Sequence, residues 1–230
     1  MLFYAPNLLH ENILPEEESQ HAVKVLRLRI GDEVEITNGK GNFCKARITN
    51  PHPKHCEFEI LSKDFVEKRS YNLHIAIAPT KNIDRLETFV EKAVEIGVDT
   101  ITPIICRFSE RKTIKSERLE KIVISASKQS KRTYFPVLNS ICSFCELVNN
   151  AAVSQKFIAH CYENEKQTLK QLCLPATDTL LLIGPEGDFS QDEVKLALSK
   201  GFRAVSLGNN RLRTETAGIA ACATVEVINQ

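Results

Sequence analysis

The 230-residue sequence lacks any long apolar run. No stretch approaches the roughly 20 apolar residues that a membrane-spanning helix needs, so the sequence predicts no membrane segment. The run Met1-Leu2-Phe3-Tyr4-Ala5-Pro6-Asn7 also lacks the basic start and apolar core of a secretion signal. We therefore expect a cytoplasmic protein that does not associate with membranes.

Several well-known catalytic motifs are absent as well. The sequence contains no GxxxxGKS or GxxxxGKT phosphate loop and no GxGxxG after a predicted strand, which argues against an NTPase or an ordinary dinucleotide-binding enzyme. Neither a GxSxG nucleophile elbow nor an HExxH zinc motif occurs.

The eight cysteines give little support for a metal site. Most of them lie in apolar segments, where cysteine behaves as a small buried residue. Cys142-x-x-Cys145 has the spacing of metal ligands, but no second pair and no histidine cluster follows to complete a zinc site. We expect reduced structural cysteines, no metal and, without a secretion signal, no disulfides.

Charge is distributed unevenly along the chain. The formal net charge is only +1, yet the segment from Arg107 to Pro136 carries nine basic and three acidic residues. Such a basic segment on an otherwise mildly acidic protein is what a phosphate-contacting surface requires. A solvated helix face with ordinary ion pairs has the same composition, and charge alone does not separate the two readings.

The first 70 residues read as β-rich. Residues 34–37 and 43–48 alternate apolar and polar side chains on either side of a turn at 38–42, which predicts a hairpin. A third strand is expected at 56–61, and a short helix begins after Pro15 and ends near Arg29. Several short strands and one helix suggest a small β-barrel, the scale of an RNA-binding accessory module, with a domain boundary near residue 70.

The pattern changes after residue 70 to alternating strands and helices, which predicts an α/β domain with a largely parallel sheet over 71–230. The helix at 84–97 is well marked, because its apolar residues recur at helical spacing and a glycine follows them. The expected strands are 73–78, 100–106, 156–161, 179–183 and 204–207, and the expected helices are 84–97, 116–130, 191–200 and 216–228.

A turn with the sequence Ile183-Gly184-Pro185-Glu186-Gly187 follows a buried strand and precedes a strongly signalled helix. Ser190 and Glu193 have the spacing of a capping box, which fixes the start of that helix. Turns at the carboxyl ends of parallel strands bind ligands in α/β proteins, and glycines let backbone amides approach them closely. A well-made strand–helix connection without a ligand has the same local signals.

A second strand exit carries the run Ser206-Leu207-Gly208-Asn209-Asn210-Arg211-Leu212-Arg213-Thr214-Glu215-Thr216-Ala217. Two arginines and a glutamate stand at the start of the predicted helix, where an anion is favoured. The small residues of this helix allow close packing, as they also do in many core helices.

Together these segments resemble the RsmE family of SPOUT-class methyltransferases, which act on ring nitrogen 3 of a uridine in small-subunit ribosomal RNA. The resemblance covers nearly the whole chain and includes residues 21–32, 81–103 and 128–136 as well as the two loops. Two departures stand out: Asp188 occupies the place of the second glycine in the family's GPEGG, and Lys128 stands where a glutamate is common.

The resemblance implies a PUA-like barrel at 1–70, a trefoil-knotted parallel-sheet domain at 71–230, a homodimer, S-adenosylmethionine (SAM) as cofactor, and ribosomal RNA or the small ribosomal subunit as partner. It implies that SAM is held by His160, Ile183, Gly184, Pro185, Glu186, Gly187, Ser206, Leu207, Gly208, Leu212, Thr216 and Ala217. The basic residues expected to contact RNA are Arg27, Arg29, Arg107, Arg111, Lys112, Lys128, Lys131 and Arg132.

The expected catalytic residues are Arg213 and Glu215. Uracil nitrogen 3 carries a proton at neutral pH, so methylation requires loss of that proton or stabilisation of the anion. A fixed cation in a dry site stabilises such charge strongly, which is the role expected of Arg213, with Glu215 positioning it or accepting the proton. The alternatives are a SPOUT enzyme that methylates another RNA position and a non-catalytic RNA-binding protein.

Overall fold

The computed structural model describes residues 1–162 and 165–230. The chain forms two compact units: Met1–Lys68 together with Ser127–Phe135, and Arg69–Ala126 together with Pro136–Gln230. The division expected from the sequence, 1–70 and 71–230, did not include the return of 127–135 to the first unit. None of the helices within the described residues combines the length and hydrophobicity that a membrane crossing needs.

The first unit contains a four-stranded sheet in the order β1-β2-β3-β4. Its strands are β1 (Leu2–Tyr4), β2 (Glu33–Thr37), β3 (Asn42–Asn50) and β4 (Glu57–Phe65). The predicted hairpin of β2 and β3 is confirmed, with Ile36 opposite Cys44, and β1 adds in parallel to β2. One face of the sheet is buried because alternate residues such as Val34 and Ile36 point into a common core with Phe3 and Ile48.

The helix of the first unit is shorter than predicted. α1 (Glu16–Gln20) continues into one wide π-helical turn at His21–Val25 and stops there, not near Arg29. Arg27 then adopts a left-handed backbone with φ 57°, a conformation that no helix can continue through. The prediction of the helix end was therefore wrong by about one turn.

Residues 133–135 line the turn of the predicted hairpin. The amide of Gly41 donates to the carbonyl of Thr133 at 2.9 Å, and the ring of Phe135 stacks on Tyr4 at 4.8 Å. A Cβ at Gly41, whose φ is +90°, would lie 2.4 Å from the Tyr134 hydroxyl oxygen. Glycine is therefore required at this position both for backbone conformation and for space.

The second unit is built on a seven-stranded parallel sheet. Six strands follow the order β11-β9-β10-β5-β6-β7, and β8 pairs with the end of β6. The strands are β5 (Leu73–Ile77), β6 (Thr100–Ile105), β7 (Val137–Leu138), β8 (Cys142–Ser143), β9 (Gln155–Ala159), β10 (Thr179–Ile183) and β11 (Arg203–Val205). β10 is buried along its whole length because helices cover both faces of the sheet at its centre.

The helices of the second unit are α2 (Ile83–Ile96), α3 (Ser116–Gln129), α4 (Phe144–Asn150), α5 (Leu169–Leu172), α6 (Gln191–Ser199) and α7 (Thr214–Ile228). The last residues of α3, from Ser127 onwards, belong to the first unit. The predicted helices α2, α3, α6 and α7 are confirmed, whereas α4 and α5 were not predicted. α7 begins two residues earlier than expected, which makes Arg213 its N-cap residue.

Helix α7 packs against α2 through a glycine. A Cβ at Gly218 would lie 2.5 Å from the ring of Phe89 and 3.2 Å from Ile77, so only glycine fits without displacement. This close packing fixes the start of α7 over the sheet, where the predicted site residues lie.

Candidate functional site

The site lies where three parallel strands end. β9, β10 and β11 are neighbours in the sheet and run in the same direction, so their carboxyl ends share one edge. The loops that leave these ends carry His160, the Gly184–Gly187 turn and the Ser206–Leu212 loop. Sheet topology therefore brings together segments that are far apart in the sequence.

The Gly184–Gly187 turn is held from both sides. The predicted capping box is present, since the Ser190 hydroxyl accepts from the amide of Glu193 and the Glu193 carboxylate accepts from the amide of Ser190. The buried Thr214 hydroxyl at the start of α7 donates to the carbonyl of Gly184 at 3.0 Å. A rigid turn results, tied to the helix that carries Arg213.

The structure shows why an aspartate can occupy position 188, where the family pattern has a glycine. Its backbone is left-handed with φ 66°, a conformation that suits glycine and that aspartate tolerates better than most residues. Its carboxylate accepts from the amide of Cys161 at 2.7 Å and from the amide of Phe189 at 2.8 Å. The substitution therefore adds a link between the β10 turn and the segment after β9, which a glycine cannot make.

Two adjoining cavities occupy this edge of the sheet. Their volumes are about 360 and 280 Å³, and they share Ala159, Cys161, Arg211, Leu212 and Ala217. The remaining residues of the first cavity are His160, Lys166, Val205, Ser206, Leu207, Gly208, Asn209 and Asn210. Those of the second are Ile183, Gly184, Pro185, Glu186, Asp188, Arg213 and Thr214.

The loop of the first cavity depends on a glycine. Gly208 has φ +140°, and a Cβ there would meet no atom within 4 Å. The Ser206 hydroxyl accepts from the amide of Gly208 and donates to its carbonyl, which closes a tight local turn. Glycine is therefore needed here for backbone conformation, and the space beside it stays open for a ligand.

His160 lines a wall of the first cavity and is mainly uncharged at neutral pH. Burial, assisted by the nearby Lys166 ammonium, lowers the pKa of the imidazole. Lys166 itself donates to the carbonyls of His160 and Tyr162 at 2.9 and 2.5 Å. This wall thus presents a neutral ring and a lysine whose position is fixed by backbone carbonyls.

Arg213 and Glu215 do not pair with each other in the part of the chain that the structure describes. Arg213 is exposed and lines the second cavity. The nearest cation to Glu215 is Arg85, whose Nε lies 3.9 Å from Glu215 Oε1. The other carboxylate oxygen of Glu215 is buried and has no hydrogen-bond partner among the described residues, and Glu215, unlike Arg213, lines neither cavity.

Two predicted cofactor residues line neither cavity. Gly187 faces Phe108, since a Cβ there would lie 3.0 Å from the Phe108 Cβ, and Thr216 is exposed on the first turn of α7. The other ten line one or both cavities. Asn209, Asn210, Arg211 and Thr214 also line the cavities and lie within the predicted loop at 206–212 and the predicted helix start at 213–216, although they were not singled out. Sequence reasoning missed Ala159, Cys161, Lys166, Asp188 and Val205 as lining residues.

The basic residues expected to contact RNA fall into two groups. Lys128 and Lys131 have ion-pair partners in the first unit, Glu18 at 2.6 Å and Glu35 at 2.9 Å respectively. Lys131 lowers the pKa of Glu35 through this contact. Arg132 donates to the carbonyl of Tyr134 and Arg111 to those of Thr80 and Lys81, while Arg27, Arg29, Arg107 and Lys112 are exposed.

Cys142 and Cys145 belong to no metal-binding group among the residues that the structure describes. All eight cysteines are free thiols, and burial raises the pKa of Cys142. Across residues 1–162 and 165–230, no group of three or more histidine, cysteine, aspartate or glutamate side chains is arranged to hold a metal.

Comparison with known proteins matches both units to RNA-modifying enzymes. The RNA methyltransferase domain family matches residues 67–226, and the RNA methyltransferase PUA domain family matches residues 14–61. Ribosomal RNA small subunit methyltransferase E of Rickettsia conorii is 31% identical over 98% of this chain and 94% of that protein.

Two solved structures of methyltransferases resemble this chain over nearly its whole length. A probable rRNA-methyltransferase from Porphyromonas gingivalis superimposes with a TM-score of 0.93 at 41% identity, over 99% of this chain and 98% of that one. Ribosomal RNA small subunit methyltransferase E from Neisseria gonorrhoeae, solved with bound S-adenosyl methionine, gives a TM-score of 0.87 at 32% identity, over 99% and 97% of the two chains.

The parallel sheet, the paired cavities at its carboxyl edge and the match over residues 67–226 define an RNA methyltransferase with an N-terminal PUA-type domain. Within that class, the chain belongs to the ribosomal RNA small subunit methyltransferase E family.

Proposed function

We propose that this protein transfers a methyl group from SAM to ring nitrogen 3 of a uridine in small-subunit ribosomal RNA. The observation that carries the proposal is the second cavity, which Arg213 lines together with Gly184, Pro185 and Glu186, and which adjoins the cavity beside Gly208. The position on the base and the identity of the RNA come from the family to which the chain belongs.

The two cavities fit SAM in their chemistry. The first offers a neutral imidazole at His160, apolar contacts at Leu207 and Leu212, and exposed loop backbone around Gly208, which suit a purine and a ribose. The second offers the Gly184–Glu186 turn for the remainder of the molecule. Bound SAM supplies an electrophilic methyl group on a positively charged sulfur.

The reaction requires a residue that stabilises the anionic base and a residue that takes its proton. The Arg213 side chain has no hydrogen bond or ion pair among the described residues, so its guanidinium is available to the carbonyl oxygen of the target base. Glu215 lines neither cavity, and its unpartnered carboxylate oxygen is buried, so its role as proton acceptor requires that substrate binding brings this oxygen within hydrogen-bond reach of the base. Both stand at the start of α7, whose position Thr214 fixes through the Gly184 carbonyl.

The target base must leave its stack to reach the cavity, so the surrounding RNA has to be held. We assign this role to the exposed cations Arg107 and Lys112 in the second unit and to Arg27 and Arg29 in the first. Lys128 and Lys131 are already compensated by carboxylates, so they contribute less. The proposal includes a trefoil knot in the second unit, a homodimer and a cytoplasmic location, as the family resemblance implies.

Variants of Arg213 and Glu215 test the proposal. The purified protein is incubated with SAM and small ribosomal subunits that lack the modification, and single-turnover methyl transfer is measured together with SAM affinity by calorimetry. We expect Arg213→Ala to slow transfer by roughly 10²-fold or more, as loss of one preorganised charge-stabilising group does, while SAM affinity changes little. Glu215→Gln should also slow transfer.

Two further variants serve as controls. Arg213→Lys keeps the charge and should retain part of the rate, and Lys195→Ala removes an exposed cation of α6 that lines neither cavity, so it should behave as wild type. Normal transfer by Arg213→Ala would contradict the assigned mechanism. Absence of both SAM binding and transfer in the wild type would favour a non-catalytic RNA-binding protein.

A further inference from the structure

A third cavity lies on the same edge of the sheet as the two described above. Its volume is about 410 Å³. Its walls come from the segments that follow β5 and β6, and its lining residues are Ile83, Glu87, Arg111, Thr113, Ile114, Lys115, Arg118 and Leu119. None of these residues lines the first or the second cavity.

The sheet order places this cavity next to the methyl-transfer site. β10, whose end carries the Gly184–Gly187 turn, is the neighbour of β5, and β5 is the neighbour of β6. The Glu186 carboxylate of the turn accepts from the amide of Lys81 at 3.0 Å, and the carbonyl of Lys81 accepts from Arg111 at 2.8 Å. Two hydrogen bonds through the backbone of Lys81 therefore connect the turn to Arg111 in the wall of the third cavity.

The lining combines apolar walls with positive charge. Ile83 and Ile114 are partly buried against the core and present apolar surface to the cavity. The Glu87 carboxylate is occupied by Arg118, with Nε at 2.6 Å from one oxygen and a second guanidinium nitrogen at 2.7 Å from the other.

Two cations of this cavity are not neutralised by Glu87. Within residues 1–162 and 165–230, the Arg111 guanidinium donates only to the neutral carbonyls of Thr80 and Lys81, and Lys115 has no side-chain partner. The cavity therefore keeps a positive excess at its rim.

We infer that this cavity binds one nucleotide of the substrate RNA that neighbours the methylated base, and the inference rests on the proposed function. The apolar walls and the guanidinium plane of Arg118 suit the face of an unstacked base, and Arg111 and Lys115 suit the adjoining phosphate. An inorganic anion fits less well, because the Glu87 carboxylate repels it and the side chains of Ile83 and Ile114 cannot form hydrogen bonds with it. Holding a neighbouring nucleotide here keeps the RNA strand in place while the target base enters the second cavity.

Lys115→Gln tests the phosphate contact in the full-length protein, with Lys195→Gln on α6 as the matched control. We expect the KM for RNA to rise roughly tenfold for Lys115→Gln, as loss of one charged contact does, with SAM affinity unchanged. The salt dependence of RNA affinity should weaken by about one unit of slope. Lys195→Gln should match the wild type in both quantities.

Thr113→Trp tests occupancy of the cavity. The sequence contains no tryptophan, so a single indole at the exposed position 113 reports on this cavity alone. We expect a single-stranded RNA that contains the methylation site to quench its emission, and inorganic phosphate at the same concentration to leave it unchanged. A base that stacks in the cavity explains quenching by RNA alone, whereas a simple anion site predicts that phosphate changes the emission as well.

Several outcomes would overturn the inference and leave the proposed function standing. The first is a KM for RNA in Lys115→Gln that equals the wild-type value. The second is RNA binding by Thr113→Trp that leaves the tryptophan emission unchanged, and the third is quenching by inorganic phosphate equal to that by RNA. A change in molar mass of Lys115→Gln by light scattering would show that the cavity contacts a second copy of the chain, which also overturns it. Absence of methyl transfer in the wild type would instead refute the proposed function itself.

Discussion

Replacing Gly218 with alanine should destabilise the second unit, although the same change in an exposed helix stabilises proteins. Alanine is favoured over glycine by about 1 kcal/mol in a helix interior, so helix propensity alone predicts a gain. Gly218, however, is a buried residue of α7 that faces α2. The sign of the effect therefore depends on the space that the new methyl group finds.

The structure leaves no such space. The added Cβ would lie 2.5 and 2.6 Å from two carbons of the Phe89 ring and 3.2 Å from Ile77 Cδ1. Phe89 is fully buried in the core, so its ring cannot swing into solvent. Overpacking of this kind costs about 1–3 kcal/mol and commonly more than the propensity gain. We expect a net loss of about 1–2 kcal/mol in the free energy of unfolding.

Urea unfolding followed by far-ultraviolet circular dichroism measures this change, since the chain has no tryptophan for fluorescence. In a Phe89→Leu background the ring is gone, and the same Gly218→Ala change should cost much less. The two residues should therefore show a coupling of about 1 kcal/mol or more in a double-mutant cycle. A more stable Gly218→Ala protein, or simple additivity with Phe89→Leu, would refute the proposed close packing of α2 and α7.

Three further changes test other parts of the second unit. Burial lowers the pKa of the His74 imidazole from 6.5 to about 4. As the pH falls from about 6.5 to about 4, this histidine binds a proton in the unfolded chain but not in the folded protein, so the free energy of unfolding should decrease by about 3 kcal/mol. Urea titrations of His74→Gln at several pH values should lack that part of the pH dependence. Thr214→Val deletes the hydroxyl that donates to the Gly184 carbonyl, and should cost about 1–2 kcal/mol and weaken SAM binding in calorimetry, whereas Thr214→Ser should retain both. Arg69→Met leaves the buried Asp99 carboxylate without its cation and should lower the free energy of unfolding by about 3 kcal/mol or more; an unchanged urea midpoint would argue against this ion pair.

Much of the fold follows from local patterns in the sequence. The apolar run at β5 and the helical spacing of Leu86, Phe89 and Val90 in α2 gave the right elements, because each element buries one face or two in a regular period. The two-residue strands β7 and β8 were missed because two residues carry no period. The contact of 133–135 with the hairpin turn was missed because it joins residues about 90 positions apart, here Lys40 and Tyr134.

In the candidate site, too, some features could be predicted from the sequence and others could not. The capping box of Ser190 and Glu193 and the glycine-containing loop at Gly208 were predicted from residues that lie close together in the sequence. The bond from the Cys161 amide to Asp188 and the placement of Lys166 on the His160 carbonyl were not, because they depend on which strands lie side by side. The resemblance to a family supplied the cofactor and the base, which no local pattern of this chain specifies.

The most direct test of the central proposal identifies the nucleoside that the protein modifies. The wild-type protein is incubated with SAM labelled in its methyl group and with small ribosomal subunits that lack the native modification, and the RNA is then digested to nucleosides. We predict that the label appears in 3-methyluridine and that Arg213→Ala yields little of it. Label in another nucleoside, or none at all under conditions where RNA is bound, would contradict the proposed reaction.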